Sequence, residues 1–272
     1  MIVFVHLVYY EKYAFKSLIE LREIANNIGD KYKIILVNNN QNMILDSIFF
    51  PNMDLTILKG DNSKYEFSGW EVGLKYIKNN YEEEIENIIF SNDTFCFHRK
   101  WGYFQRLNFT NKFKKFYKDQ ITGICGEKNN ISMDYKIDNI SNDGWISTYL
   151  FMISNDLILQ GLKLNNLGEK IYDYVIDVND EEIIFRESFD KELGKHINNW
   201  LYPKKGKKGW YNSVNVNTYQ KKKKLECILN EKILSCEVKK KGGIILGLNE
   251  EGCFAFINLI RKFINNFLRN FK

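Results

Sequence analysis

The chain has 272 residues, 44% of them hydrophobic and 27% charged, which excludes a disordered polymer and allows a sizeable core in one domain or in one domain with an extension. The net charge of +5 is modest but unevenly placed: PKKGKKG (203–209), a four-lysine run (221–224) and a three-lysine run (239–241) concentrate it late in the chain. Five cysteines without a C-x-x-C pair exclude a metal finger and fit a reducing compartment, and the absence of an 18-residue apolar run excludes a membrane-spanning helix.

In chain order, IVFVHLV (2–8) predicts a core strand where a secretory leader would need a basic start. The segment 15–29 follows with Leu18, Leu21, Ala25 and Ile28 on one helical face and Gly29 as a stop. KIILVNNN (33–40) predicts a second strand running into an asparagine-rich turn, and LTILKGDN (55–62) a third. Residues 69–81 read as a helix, and NIIFSND (87–93) as a fourth strand. Strands interleaved with helices imply an α/β fold with a mainly parallel central sheet flanked by helices.

Residues 98–120 are aromatic and basic, in a loop or helix; 121–126 and 146–154 are further strand candidates. A helical segment is expected over about 155–172, and 181–200 reads as a short apolar piece leading into a helix. At Pro203 the character changes, and lysine blocks and turn residues dominate to about residue 250. Residues 1–202 are therefore expected to form the principal domain and 203–272 a basic carboxy-terminal extension. Its last helix, 254–271, is amphipathic, with Phe254, Ile257, Ile260, Ile264, Phe267 and Phe271 on one stripe. That stripe suits packing on the domain, on a second subunit, or on an anionic membrane face beside the lysines.

Ligands of open α/β sheets bind outside the carboxyl ends of the strands. Polar residues gather there: Tyr9 and Tyr10, Asn38 to Asn40, Gly60 to Asn62, and Ser91 to Asp93. Asp93 interrupts the apolar run IIFSNDTFCF (88–97), and a carboxylate at a buried strand end needs a partner. Two readings stand: Asp93 caps a turn or helix through backbone N–H groups, or it holds a divalent cation on a diphosphate. No G-x-S-x-G elbow, Walker loop or dinucleotide glycine pattern occurs. Neither His6, in mid-strand, nor His98, beside Arg99, has a ligand-like neighbour in sequence.

FSGWEVGL (67–74), IIFSNDTFCF (88–97) and WISTYLFMISNDLI (145–158), in this order and spacing, resemble bacterial glycosyltransferases of the rhamnan-synthesis type. The resemblance covers roughly residues 1–200. It implies a GT-A nucleotide-binding fold and transfer of a sugar, with inversion, from a nucleotide-sugar donor to a glycan or lipid-linked glycan of a bacterial surface polysaccharide. By the same resemblance Asp93 ligates Mn²⁺ or Mg²⁺ on the donor diphosphate, and Asn92 meets the ribose. Tyr9, Asn38 and Asn39, Asp61, and the pair Ser68 and Gly69 lie along the nucleotide; Ser147 and Tyr149 lie toward sugar and acceptor. Ser91 stands where a second acidic residue is usual, which leaves metal use to be tested.

An inverting transferase needs a base for the acceptor hydroxyl. FRESFDKELGKHI (185–197) offers Glu187, Asp190 and Glu192. Glu187 resembles the family's late glutamate, Asp190 shares its helical face, and both stand as the catalytic candidates, against a plain role at a helix start. His196 is a further metal-ligand candidate. The resemblance implies a cytoplasmic enzyme, with peripheral contact at the inner face of the plasma membrane. Two other functions are compatible with the residues: a nucleic-acid binder using the lysine blocks, and a scaffold that keeps the fold without the chemistry.

Overall fold

A computed structural model describes residues 1–29, 31–46, 53–81, 85–97, 101–131, 134–165, 170–204, 209–210 and 216–248. The expected amphipathic helix 254–271, Cys253, His98 and Arg99 lie outside the described residues.

The amino-terminal half follows the hydrophobic periodicity. Strand β1 (Ile2–Val8) is buried at every position, as a central strand covered on both faces must be. Helix α1 (Glu11–Ile28) buries Leu18, Leu21, Ala25 and Ile28 on its 3.6-residue stripe. Then come β2 (Tyr32–Asn38), β3 (Leu55–Lys59), α2 (Glu66–Asn80) and β4 (Asn87–Asn92). The aromatic, basic stretch forms α3 (Tyr103–Lys118), which buries Phe109, Phe113 and Phe116.

Strand β5 (Gly123–Asn129) is followed by a hairpin of β6 (Tyr135–Ile137) and β7 (Ile140–Asn142), and by the long β8 (Trp145–Ser154). The helix expected over 155–172 is much shorter. Helix α4 (Asn155–Leu159) stops before Gly161, whose φ of +81° is the left-handed geometry that ends helices. A single turn, α5 (Ile171–Tyr174), leads into a second hairpin of β9 (Val175–Val178) and β10 (Ile183–Phe185), and then α6 (Lys191–Leu201).

The stretch read as lysine-rich turns holds instead a 23-residue helix, α7 (Thr218–Lys240), opened by a capping box between Asn217 and Gln220. Strand β11 (Ile244–Gly247) follows it. The lysine run 221–224 lies on α7's first turns and its ammonium groups sit near aromatic rings: Lys221 over Tyr202 (4.3 Å), Lys222 over Tyr172 (4.6 Å), Lys223 over Tyr219 (5.0 Å) and Lys224 toward Trp200 (6.0 Å).

The central sheet has the order β11-β5-β8-β4-β1-β2-β3. β1 pairs in parallel with β2 and β4, β2 with β3, and β11 with β5; β8 runs antiparallel between β4 and β5. This is the mainly parallel α/β sheet expected from the sequence. One face carries α2, α4 and part of α7, around Trp70, Phe90, Phe151 and Leu234. The other carries α1 and α3, around Phe4, Phe95, Phe109 and Phe113. A third cluster joins the hairpins to α6 and α7 through Tyr135, Trp145, Leu193, Leu225 and Leu229. Residues 216–248 thus contribute both to the sheet and to the cores.

Candidate functional site

The parallel direction of β1 to β4 brings their carboxyl ends to one edge. There the loops are stitched together. The Asp93 N–H donates to Leu7 O (2.9 Å), Asn39 N–H to Val8 O (2.8 Å) and Gly60 N–H to Asn38 O (2.8 Å).

Asp93, only 2% exposed, accepts the backbone N–H groups of Tyr9 (2.8 Å) and Tyr10 (2.6 Å) on Oδ2. It therefore holds the turn that opens α1, as the capping reading anticipated. Burial pushes its carboxyl up to about 6, against the pull of those two N–H groups, and Glu66 adds to the rise. The rings of Tyr9 and Tyr10, edge to face at 5.0 Å, form an exposed aromatic rim above it.

The asparagines shape loops. Asn38 Oδ1 accepts the Asn40 N–H (3.0 Å) and its Nδ2 donates to Met43 O (2.7 Å). Asn92 Oδ1 accepts the N–H and hydroxyl of Thr94 (3.2 and 2.8 Å), a side-chain turn. Asn39 is buried, and its Nδ2 reaches Tyr65 O (2.8 Å) and Asn62 Oδ1 (3.2 Å). It thereby fixes a loop with left-handed backbone at Asn62 (φ 53°) and Tyr65 (φ 49°). Asn39 Oδ1 has no hydrogen-bond partner among the described residues; it lies against Gly60 and Gly69, where any Cβ would run into it or into Leu7. Asp61 accepts the N–H and hydroxyl of Ser63 (2.9 and 2.8 Å), which hold its carboxyl below the usual range. Ser68 donates to Tyr65 O (3.1 Å) and accepts the Lys64 N–H (3.2 Å), closing the same loop.

The antiparallel run of β8 pairs Ser91 with Leu150, so residues 145–149 continue past the end of β4. Beside them lies a cavity of about 350 Å³, between the first residue of α2, the end of β5, β8, α6 and α7. Its walls include Trp145, Trp200, His196, Glu66, Lys224 and Glu231. On α7, Lys224, Cys227, Ile228 and Glu231 follow the i, i+3, i+4, i+7 spacing of one helical face.

Glu231 ties α7 to β8. Its Oε2 accepts the N–H and hydroxyl of Thr148 (3.0 Å each), and its Oε1 accepts Trp145 Nε1–H (2.8 Å) and Lys232 Nζ (3.4 Å). Burial would raise this carboxyl, but Lys232, the two Thr148 donors and Lys224 outweigh it and hold it low. Lys232 sits 4.0 Å over the Trp145 ring, and burial brings its ammonium down despite Glu231. His196 faces Trp145 (5.6 Å between centroids); burial, with Lys232 nearby, lowers it and favours the neutral imidazole.

The expected site residues thus divide. Tyr9, Asn38, Asn39, Asp61, Ser68, Gly69, Asn92 and Asp93 share the strand-end edge, and Ser147 lines the cavity, accepting a hydrogen bond from Asn129. Tyr149 turns to the opposite face, against Phe109 (6.0 Å), and donates to Glu127 (2.5 Å). Asp190 is the N-cap of α6: Oδ1 accepts the N–H of Glu192 (3.1 Å) and Leu193 (2.9 Å), and Oδ2 that of Lys136 (3.0 Å). Glu187 and Glu192 are exposed and do not line the cavity. His196 does line it, without metal-ligand neighbours; among the described residues no three His, Cys, Asp or Glu side chains form a metal cage. The sequence reading missed Glu66, Trp145, Trp200, Lys224 and Glu231. The four on β8, α6 and α7 come together only through tertiary packing, although the i, i+7 spacing of Lys224 and Glu231 was a signal.

No protein-family model matches the chain, and no curated protein matches it. Among solved structures it is similar to residues 1–349 of S. aureus TarS, at 10% identity and a TM-score of 0.33. That match covers 59% of this chain and 49% of the TarS chain, so this chain spans about half of its solved neighbour. The fold is that of a mixed α/β protein with a mainly parallel seven-stranded sheet and a tryptophan-walled cavity toward its carboxyl edge.

Proposed function

We propose that the protein transfers a sugar from a nucleotide-sugar donor to a glycan or lipid-linked glycan. The observation that carries this reading is the convergence, on one edge, of four polar strand ends, a tyrosine rim and a tryptophan-walled cavity. Open α/β sheets bind nucleotides at that edge. The donor nucleotide lies along Tyr9, Asn38, Asn39, Asp61, Ser68 and Gly69, and the reacting sugars lie toward Ser147.

Asp93 fits a partial metal site. Magnesium-like ions bind through one or two carboxylates and complete their shell with phosphate oxygens and water. One buried carboxylate, with Oδ2 already occupied by backbone donors, supplies a single protein ligand. Mn²⁺ or Mg²⁺ held there would neutralise charge on a leaving diphosphate. Asp93 itself keeps the β1–α1 turn, and so the tyrosine rim, in place. Of the carboxylates around the cavity, Glu231 is saturated with donors, whereas Glu66 makes no hydrogen bond or ion pair among the described residues and is the group available to receive an acceptor proton.

A thermal-shift panel of uridine, guanosine and thymidine diphosphates and their sugars, with and without Mn²⁺ or Mg²⁺, tests the reading. A stabilising nucleotide is expected, with the metal-dependent part lost in Asp93→Asn, which retains an oxygen for the Tyr9 and Tyr10 N–H groups. Release of nucleoside diphosphate from the stabilising donor separates a transferase from a scaffold. A panel without any shift would overturn the proposal.

A further inference from the structure

The Glu66 carboxylate and the Lys224 ammonium both line the cavity beside β8, where burial weighs against the Lys224 charge and the Glu66 charge favours it. Neither makes a hydrogen bond or an ion pair among the described residues, to the other or to any third group. Elsewhere in the same wall the charges are joined: Lys232 with Glu231, and Glu231 with Thr148 and Trp145. An acid and a base facing a shared space without contact are matched by a group that both donates and accepts. A hydroxyl does this, and a diol does it twice.

The rest of the wall narrows the class. Trp145 and Trp200 supply broad apolar rings with polar edges, which suit the C–H face of a pyranose. Two carboxylates and two lysines balance, so the cavity gathers no net charge for a phosphate or a carboxylate ligand. Its volume of about 350 Å³ lies at the small end of ligand pockets, the size of a saccharide unit and far below a whole nucleotide sugar. Asn129 and Ser147, already bonded to each other, add amide and hydroxyl groups at the β5–β8 end.

We propose that this cavity is a binding site for one neutral pyranose unit of the acceptor, seated against Trp200 with its hydroxyls bridging Glu66 and Lys224. The assignment to the acceptor rests on the transferase reading; the saccharide site itself does not. In a transfer step the Glu66 carboxylate takes the proton of the acceptor hydroxyl as its oxygen bonds to the donor's anomeric carbon. The bond from that carbon to the diphosphate breaks, and the nucleoside diphosphate leaves with the electron pair.

Saturation-transfer NMR on the full chain, with a panel of neutral methyl pyranosides (rhamnoside, glucoside, galactoside and N-acetylglucosaminide), tests it. The expected result is transfer to at least one glycoside, about tenfold weaker binding in Lys224→Met and Glu66→Gln, and an unchanged nucleotide thermal shift in Lys224→Met. Both variants keep the side-chain volume and are first checked for wild-type melting; Trp200→Phe serves as a third probe of the ring contact. No transfer to any glycoside, with the nucleotide shift intact, overturns the site and leaves the transferase reading standing. Undiminished transfer in Lys224→Met and Glu66→Gln also overturns it. Glycoside binding without any nucleotide response upholds the site and overturns its assignment to an acceptor.

Discussion

His6 shows how a polar side chain is made safe inside the sheet. Its Nδ1 lies 2.8 Å from Ser91 Oγ and its Nε2 2.9 Å from Ser17 Oγ. Ser17 gives its own proton to Ala14 O (3.0 Å), so Nε2–H donates to Ser17, and Ser91 donates to Nδ1. Both nitrogens are satisfied in the neutral ring, and burial lowers the imidazole from 6.5 to about 3. The folded state therefore binds the proton less readily than the unfolded chain. Stability is fully present above pH 6.5 and is lost as pH falls toward 3, at a slope on the order of 1 kcal/mol per pH unit. In urea titrations from pH 7.5 to 4.5 the slope is expected to be less positive by about that amount in His6→Leu, which also lowers stability at neutral pH; Asp93, raised to about 6, adds an opposite slope to both proteins. An unchanged slope in the variant would refute the assignment. The sequence marked His6 as a mid-strand residue without neighbours of note, because Ser91 and Ser17 reach it only once β4 and α1 have packed against β1. Asp93 was more legible, since a carboxylate ending a buried strand needs donors nearby, and the β1–α1 turn provides them.

Among elements, α6 and α7 carry the clearest consequences. Asp190 caps α6 and also accepts the Lys136 N–H, so its work is to anchor a helix start to the β6–β7 hairpin. Asp190→Ala is expected to cost about 1 kcal/mol or somewhat more in chemical denaturation. Asp190→Asn should restore most of that loss and keep nucleotide-sugar turnover; a chemical base at this position would lose turnover in the asparagine variant. Helix α7 explains why part of the fold was hidden in the sequence. It is buried on two sides, Leu225, Leu229 and Ile233 facing α6 and the hairpins, and Cys227, Leu234 and Val238 facing the sheet. Two apolar stripes leave no single amphipathic signature, and the lysines over Tyr202, Tyr172 and Tyr219 fill the gaps with charge. The helix was read as a turn-rich extension for that reason. Leu229→Ala should cost 2 to 5 kcal/mol, roughly the price of emptying a fully buried leucine site, measured by the same denaturation.

At the scale of the molecule, the first four strands and their helices were readable because each connection is local and each strand carries its own period. The carboxyl-terminal part was not, because the pairings that fix it to the sheet are distant in sequence. β11 pairs with β5 in parallel, with Ile244 opposite Gly123, where a side chain in place of glycine would collide with the β11 backbone. Ser235 on α7 accepts the Ile146 N–H (3.1 Å), and Glu231 the Thr148 N–H. Those two donors of β8 are otherwise buried polar groups, each costing roughly 1 to 3 kcal/mol if left unpaired. A chain ending at Tyr202 would expose the α7-facing side of Trp145, Leu193 and Ile197, strip both β8 donors and uncover β5 as a sheet edge. It is expected to lose cooperative thermal unfolding and to bind a hydrophobic dye, whereas the full, longer chain should show the transition. Cooperative melting of the shorter chain, at the temperature of the longer one, would show that residues 1–202 stand as an independent unit and that α7 and β11 merely rest upon it.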